Sequence, residues 1–117
     1  MLTKHSTKSY IDQIKTQLKE IDPYKIILFG SLSKDLESPN SDIDLLVILD
    51  SNKISQNYQE KIENKMLVRK CIYNISKQIP IDLIVYTKKE YEIIKNNKNS
   101  FFKDIEKTGK ILYEKAS

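Results

Sequence analysis

A single cysteine, Cys71, rules out an internal disulfide, and with His5 the only histidine it leaves no Cys/His cluster for a transition metal. There is no tryptophan, and no run of eighteen apolar residues from which to build a membrane span. The N-terminal segment from Met1 to Tyr10 is polar and dotted with lysine, without an apolar core, so it does not read as a signal peptide. A cytoplasmic protein is the resulting expectation. Arginine is nearly absent: Arg69 stands alone, although the chain carries 20 basic against 16 acidic residues and a formal charge of +4. Nucleic-acid sites favour arginine for bidentate phosphate and base contacts, so the lysine excess argues against direct nucleic-acid binding as the main role. Abundant lysine, isoleucine and asparagine with almost no alanine instead fit the codon usage of an AT-rich genome. Neither repeats nor a Pro/Gly/Ser-rich linker divide the chain, and 117 residues fit one domain over 1–117.

The apolar pattern does specify elements. Ile11, Ile14, Leu18 and Ile21 recur at helical spacing and predict a helix from Ser6 to Ile21, ended by Asp22-Pro23. Tyr24 to Phe29 reads as a strand whose run Ile26-Ile27-Leu28-Phe29 lacks alternation, so both its faces should be covered. A short helix over Ser31 to Glu37, a turn-forming loop Ser38 to Ser41 and a second strand Asp42 to Leu49 follow. One long helix is predicted from about Ser55 to Gln78, with Tyr58, Ile62, Met66, Ile72, Ile75 and Ile79 on a drifting apolar face. Ile81 to Tyr86 predicts a third strand, with Thr87 capping a helix over Lys88 to Lys95. Ser100 caps a further helix, Phe101 to Lys107, and Lys110 to Tyr113 forms a terminal strand or an extended tail. The order predicts an α/β (α+β) architecture, a small mixed sheet with helices packed on it.

Chemistry concentrates around the second strand. Asp42 and Asp44, at i and i+2, project to one face, with Ile43 between them facing the other way. Two carboxylates held together repel unless a cation lies between them, and hard carboxylate oxygens suit Mg²⁺. Upstream, Gly30-Ser31 at the mouth of the short helix offers backbone N–H groups and a hydroxyl to a phosphate. Lys34, one turn further on, is equally well read as a phosphate contact or as a solvated lysine. Asp82 opens its strand as Asp42 and Asp44 open theirs; it is read as a third metal ligand, or else as a cap for the loop after Pro80. His5 reads as solvated and Cys71 as packing. Tyr58, Tyr73 and Tyr91 read as core edges, with some room for a partner surface.

Gly30-Ser31, ten residues, then Asp42-x-Asp44 resembles the signature of the minimal nucleotidyltransferases of the polymerase-beta superfamily, and more narrowly the antitoxin-type members that pair with HEPN-domain toxins. The resemblance implies that Asp42, Asp44 and Asp82 hold Mg²⁺ on the triphosphate of ATP or another NTP, with Gly30, Ser31 and Lys34 around the phosphates. It places Asp82 on a strand neighbouring that of Asp42 and Asp44. It also implies transfer of AMP, or another NMP, to a hydroxyl of a HEPN-domain ribonuclease toxin. Where many relatives have arginine followed by glycine, this chain has Lys34-Asp35. Two other readings stay open from the residues: an antitoxin that neutralises by covering its partner, and an enzyme modifying a small molecule as aminoglycoside nucleotidyltransferases do.

Overall fold

The computed structural model describes residues 7–30, 42–97 and 100–116. The predicted short helix over Ser31 to Glu37, the loop Ser38 to Ser41, the first residue of the predicted N-terminal helix, Ser6, and the residues Ser31, Lys34, Asp35 and His5 lie outside the described residues.

The chain opens with helix α1, Thr7–Leu18, whose Ile11, Ile14 and Leu18 are buried at the expected spacing. A short 3₁₀ turn, Lys19–Ile21, follows. Asp22 then takes a left-handed conformation (φ 48°), a region that Asp tolerates better than most residues, and the helix ends there before Pro23. The four strands are β1 (Lys25–Phe29), β2 (Ile43–Leu49), β3 (Ile81–Thr87) and β4 (Lys110–Glu114), in the spatial order β3-β2-β1-β4. β2 is antiparallel to β1 and parallel to β3, and β4 runs antiparallel on the outer edge of β1. The sheet is therefore mixed, as expected, and the C-terminal segment is a strand.

Both faces of the sheet are covered, which explains the unbroken apolar runs of β1 and β2. Ile43, Leu45, Val47 and Leu49 point into a layer shared with α1, Val68, Ile72 and Ile75. Leu46 and Ile48 point the other way, into a layer with Ile27, Tyr91, Phe102 and Ile105. The second layer is closed by α4 (Lys88–Asn96) and α5 (Ser100–Thr108).

The predicted helix from Ser55 to Gln78 is two helices, α2 (Tyr58–Cys71) and α3 (Tyr73–Ser76), separated at Ile72. The Ile72 N–H donates to Arg69 O, three residues back, and the Ser76 hydroxyl donates to Tyr73 O at 2.7 Å. This tightened turn brings Ile72 and Ile75 into the core beside Val68. It leaves Tyr58 at 78% and Met66 at 53% exposed, so the apolar face expected for this segment packs in its C-terminal part, at Ile72, Ile75 and Ile79, and not at Tyr58 and Met66. Among the described residues no helix is long and apolar enough to cross a membrane.

Candidate active site

The parallel pairing of β2 and β3 sets Ile43 opposite Ile81 and carries the register through Asp44 opposite Asp82 to Leu49 opposite Thr87. Side chains alternate along a strand, so Asp44 and Asp82 share the sheet face of Leu46 and Ile84. They stand beyond the end of that apolar layer, at the N-terminal mouths of both strands. The Asp44 side chain is half-buried, while Asp82 and Asp42 are exposed. Asp42 precedes the first residue of β2.

The electrostatics of this cluster are unfavourable as it stands. Burial pushes the Asp44 carboxyl above its ordinary range, and the Asp82 charge beside it pushes the same way. A protonated Asp44 donates a hydrogen bond to Asp82, which favours the neutral form further, and the charge of Asp42 adds to the effect. The structure thus joins Asp44 and Asp82 directly and leaves Asp42 at the rim, felt through its charge. Among the described residues no three His, Cys, Asp or Glu side chains are already gathered as a closed metal cage.

Gly30 completes the corner. It ends β1 next to Phe29, the register partner of Asp44, and has φ +76°, a conformation that L side chains rarely adopt. A Cβ at this position would run into the Asp44 carboxylate. The backbone therefore closes on the acid pair because glycine stands there, and Gly30 and Asp44, read from separate stretches of the sequence, adjoin.

By its donor chemistry this corner fits a divalent cation. It offers hard oxygens from two adjoining carboxylates, a third carboxylate at the rim and a repulsion that a cation would relieve. Gly30 adjoins the acids; Ser31 and Lys34, the other expected phosphate contacts, lie outside the described residues.

Two features of the neighbourhood go beyond the expectations from sequence. One is the aromatic edge beside the acids, where Phe29 meets Phe101 of α5 with ring centroids 5.8 Å apart. Its only sequence signal is the position of Phe29 immediately before Gly30, since the β1–β2 register depends on the connecting segment. The other is Glu90, buried at the far end of β3. Its Oε1 accepts from the Thr87 N–H and its Oε2 from the Ser55 N–H, both at 2.9 Å. Glu90 N–H in turn donates to the Thr87 hydroxyl, completing a capping box. That spacing, Thr-x-x-Glu, is visible in the sequence. Beside this clamp lies a cavity of about 270 Å³ lined by Leu49, Ser51, Lys53, Ser55, Glu63 and Asn64 among others, at the opposite end of the strands from the acids.

The model of the nucleotidyltransferase domain family matches residues 11–108, from α1 to the end of α5. Among solved structures, a protein from Sulfolobus solfataricus, provisionally assigned as a nucleotidyltransferase and determined at 1.40 Å, aligns with a TM-score of 0.50 at 17% identity. The alignment covers 98% of this chain and 93% of that one, and at this identity it speaks for the shared fold. No curated protein matches the chain. The family match spans most of the sequence, including both strands that carry the acids, and the chain belongs to the nucleotidyltransferase domain family.

Proposed function

We propose that the protein is a Mg²⁺-dependent nucleotidyltransferase that moves AMP, or another NMP, from an NTP to a hydroxyl of a partner protein. The observation that carries this reading is the in-register meeting of Asp44 and Asp82 under the backbone of Gly30. Asp42, Asp44 and Asp82 would hold the metal, and Gly30, Ser31 and Lys34 would hold the phosphates. A bound divalent cation would supply charge neutralisation along the triphosphate and lower the pKa of the attacking hydroxyl.

The chain's own part is placement. Gly30 ends its strand without a side chain, so a phosphate can approach the backbone. Asp44 is fixed by its place within a paired strand, which holds its oxygens in one geometry before substrate arrives. The acceptor oxygen forms a bond to the α-phosphorus, the bond to the bridging oxygen of the β-phosphate breaks, pyrophosphate leaves and the hydroxyl proton is released. With Asp44 or Asp82 neutralised by mutation, this alignment would lose the charge that organises it.

For the acceptor we favour a HEPN-domain ribonuclease toxin, silenced by the modification. Two things support this: the resemblance carried by Gly30-Ser31 and Asp42-x-Asp44, and the outward face of α2 and α3. There Tyr58, Met66 and Tyr73 are 78%, 53% and 55% exposed, with Arg69 on the same side of the helix. Tyrosine, methionine and arginine are the residue types enriched where proteins bind proteins. The test is a brief incubation of the toxin with a catalytic amount of this protein and MgATP, followed by separation. The expected toxin stays inactive and gains about 329 Da for each AMP, the mass of ATP less pyrophosphate. A block that requires stoichiometric protein, ignores ATP and reverses on separation would show neutralisation by coverage instead.

A further inference from the structure

The apolar layer under α4 and α5 ends, beside the acids, in two phenylalanines. Phe29 is the register partner of Asp44, so its ring stands on the same sheet face as that carboxylate, one strand over. Phe101, in the first turn of α5, meets Phe29 edge-to-face at 5.8 Å and 87°. Phe102 braces it from behind at 5.5 Å and 85°. Consecutive helical residues point about 100° apart, so the Phe101-Phe102 pair cannot be buried on both sides. Phe102 is the anchor, 5% exposed, and packs with Tyr86 and Tyr91. Phe101 is 44% exposed. The helix is anchored in the core by Phe102 and Ile105.

The geometry points to Phe101 as the surface on which the heterocyclic base of a nucleotide stacks when its phosphates meet Asp44 and Asp82; this rests on the nucleotide-site reading above. The ring is steadied by Phe29 and Phe102, so little side-chain freedom remains to be lost when a base lies against it. Phe29 sets the spacing, because the same residue touches the shelf and adjoins the acid. Stacking on a hydrocarbon ring is tolerant of base identity, since every base has a π-face, so this shelf would distinguish a nucleotide from a bare polyphosphate rather than ATP from GTP.

The test is calorimetric titration of the whole chain with MgATP and, separately, with magnesium tripolyphosphate, which lacks base and ribose. Wild type is compared with Phe101→Ala, Phe101→Leu and Phe101→Tyr; leucine keeps an apolar contact on Phe29 while removing the aromatic face. The expected result is that Ala and Leu weaken MgATP about ten-fold, a typical share of one base–aromatic stack, while Tyr stays within a factor of about two. Tripolyphosphate affinity is unchanged in all of them. Phe101→Leu binding MgATP as wild type does, or losing ATP and tripolyphosphate equally, would overturn the stacking role while leaving the phosphate and metal site standing. Wild-type protein that binds neither ligand would overturn the nucleotide site itself, and the shelf with it.

Discussion

At one end of the β2–β3 pair Asp44 meets Asp82, and at the other Glu90 receives the N–H groups of Thr87 and Ser55. Both ends hold carboxylates against the same two strands, and burial disfavours the charge on Asp44 and Glu90 alike. For Glu90, burial is the largest single influence, yet hydrogen bonds from Thr87 and Ser55 together outweigh it and hold the carboxyl below its ordinary range. For Asp44 the charges of Asp82 and Asp42 act with burial, and the carboxyl sits above its ordinary range. The far end is also braced by Lys115, whose ammonium lies 2.7 Å from both Asp22 and Asp50. One end of the sheet is thus electrostatically complete in the protein alone. Among the described residues the other end has no such compensation for Asp44, an imbalance typical of a site rather than of a structural joint.

The comparison can be broken most sharply by activity. Asp44→Asn and Asp82→Asn should each lower nucleotidyl transfer by at least about 10³-fold, roughly 4 kcal/mol of transition-state stabilisation, with circular dichroism unchanged. Glu90→Gln should leave kcat near the wild-type value, because its clamp lies at the other end of the strands. If Glu90→Gln were as inactive as Asp44→Asn, the two ends would not be functionally distinct.

Next in size is Gly30→Ala. Forcing a Cβ into the left-handed region costs about 1–2 kcal/mol, and the added atom meets the Asp44 carboxylate. A lower Tm together with lost transfer is expected, read by thermal denaturation and by pyrophosphate release. Full activity would show that Asp44 can move aside without consequence.

For stability the ranking reverses. Glu90→Gln should cost about 2 kcal/mol, since the clamp's hydrogen bonds go to a charged acceptor in a buried setting. Because Glu90 titrates below its unfolded value of 4.5, its contribution is full above that value and fades as pH falls through the lowered one. Asp44 has the opposite sign: its native carboxyl takes up a proton more readily than the unfolded one, with its reference of 3.8. Its penalty is therefore absent in acid and grows as pH rises through the raised value. Urea titrations across that acidic range should show the advantage of wild type over Glu90→Gln growing with pH. The advantage of metal-free Asp44→Asn over wild type should grow in the same direction; two flat profiles would contradict both assignments.

Much of this was readable in the sequence, because the informative signals are local. Asp42-x-Asp44 announces a shared face through strand periodicity, Thr87 sits at the end of an apolar run as a cap, and unbroken runs in β1 and β2 announce a sheet covered on both sides. The neighbouring strand for Asp82 came with the family resemblance and is where the structure has it. What was hidden depends on tertiary fit. Which side of the Tyr58 to Ile79 segment faces the sheet is decided by the turn at Ile72, and an apolar pattern spread around the helix does not announce that turn. The link from Glu90 to Ser55 and the approach of Phe101 to Phe29 join segments far apart in the chain, so no local pattern reports them.

The most direct measurement is the Tm of wild type and Asp44→Asn at neutral pH, each without divalent metal and then with MgATP. Without metal, Asp44→Asn should melt higher than wild type, because an amide can donate to Asp82 where a carboxylate repels it. With MgATP, wild type should rise by the stabilisation expected of a ligand that binds only the folded state, and the order should invert. If wild type is already the more stable without metal, or if MgATP raises both proteins equally, Asp44 and Asp82 are not a cation site.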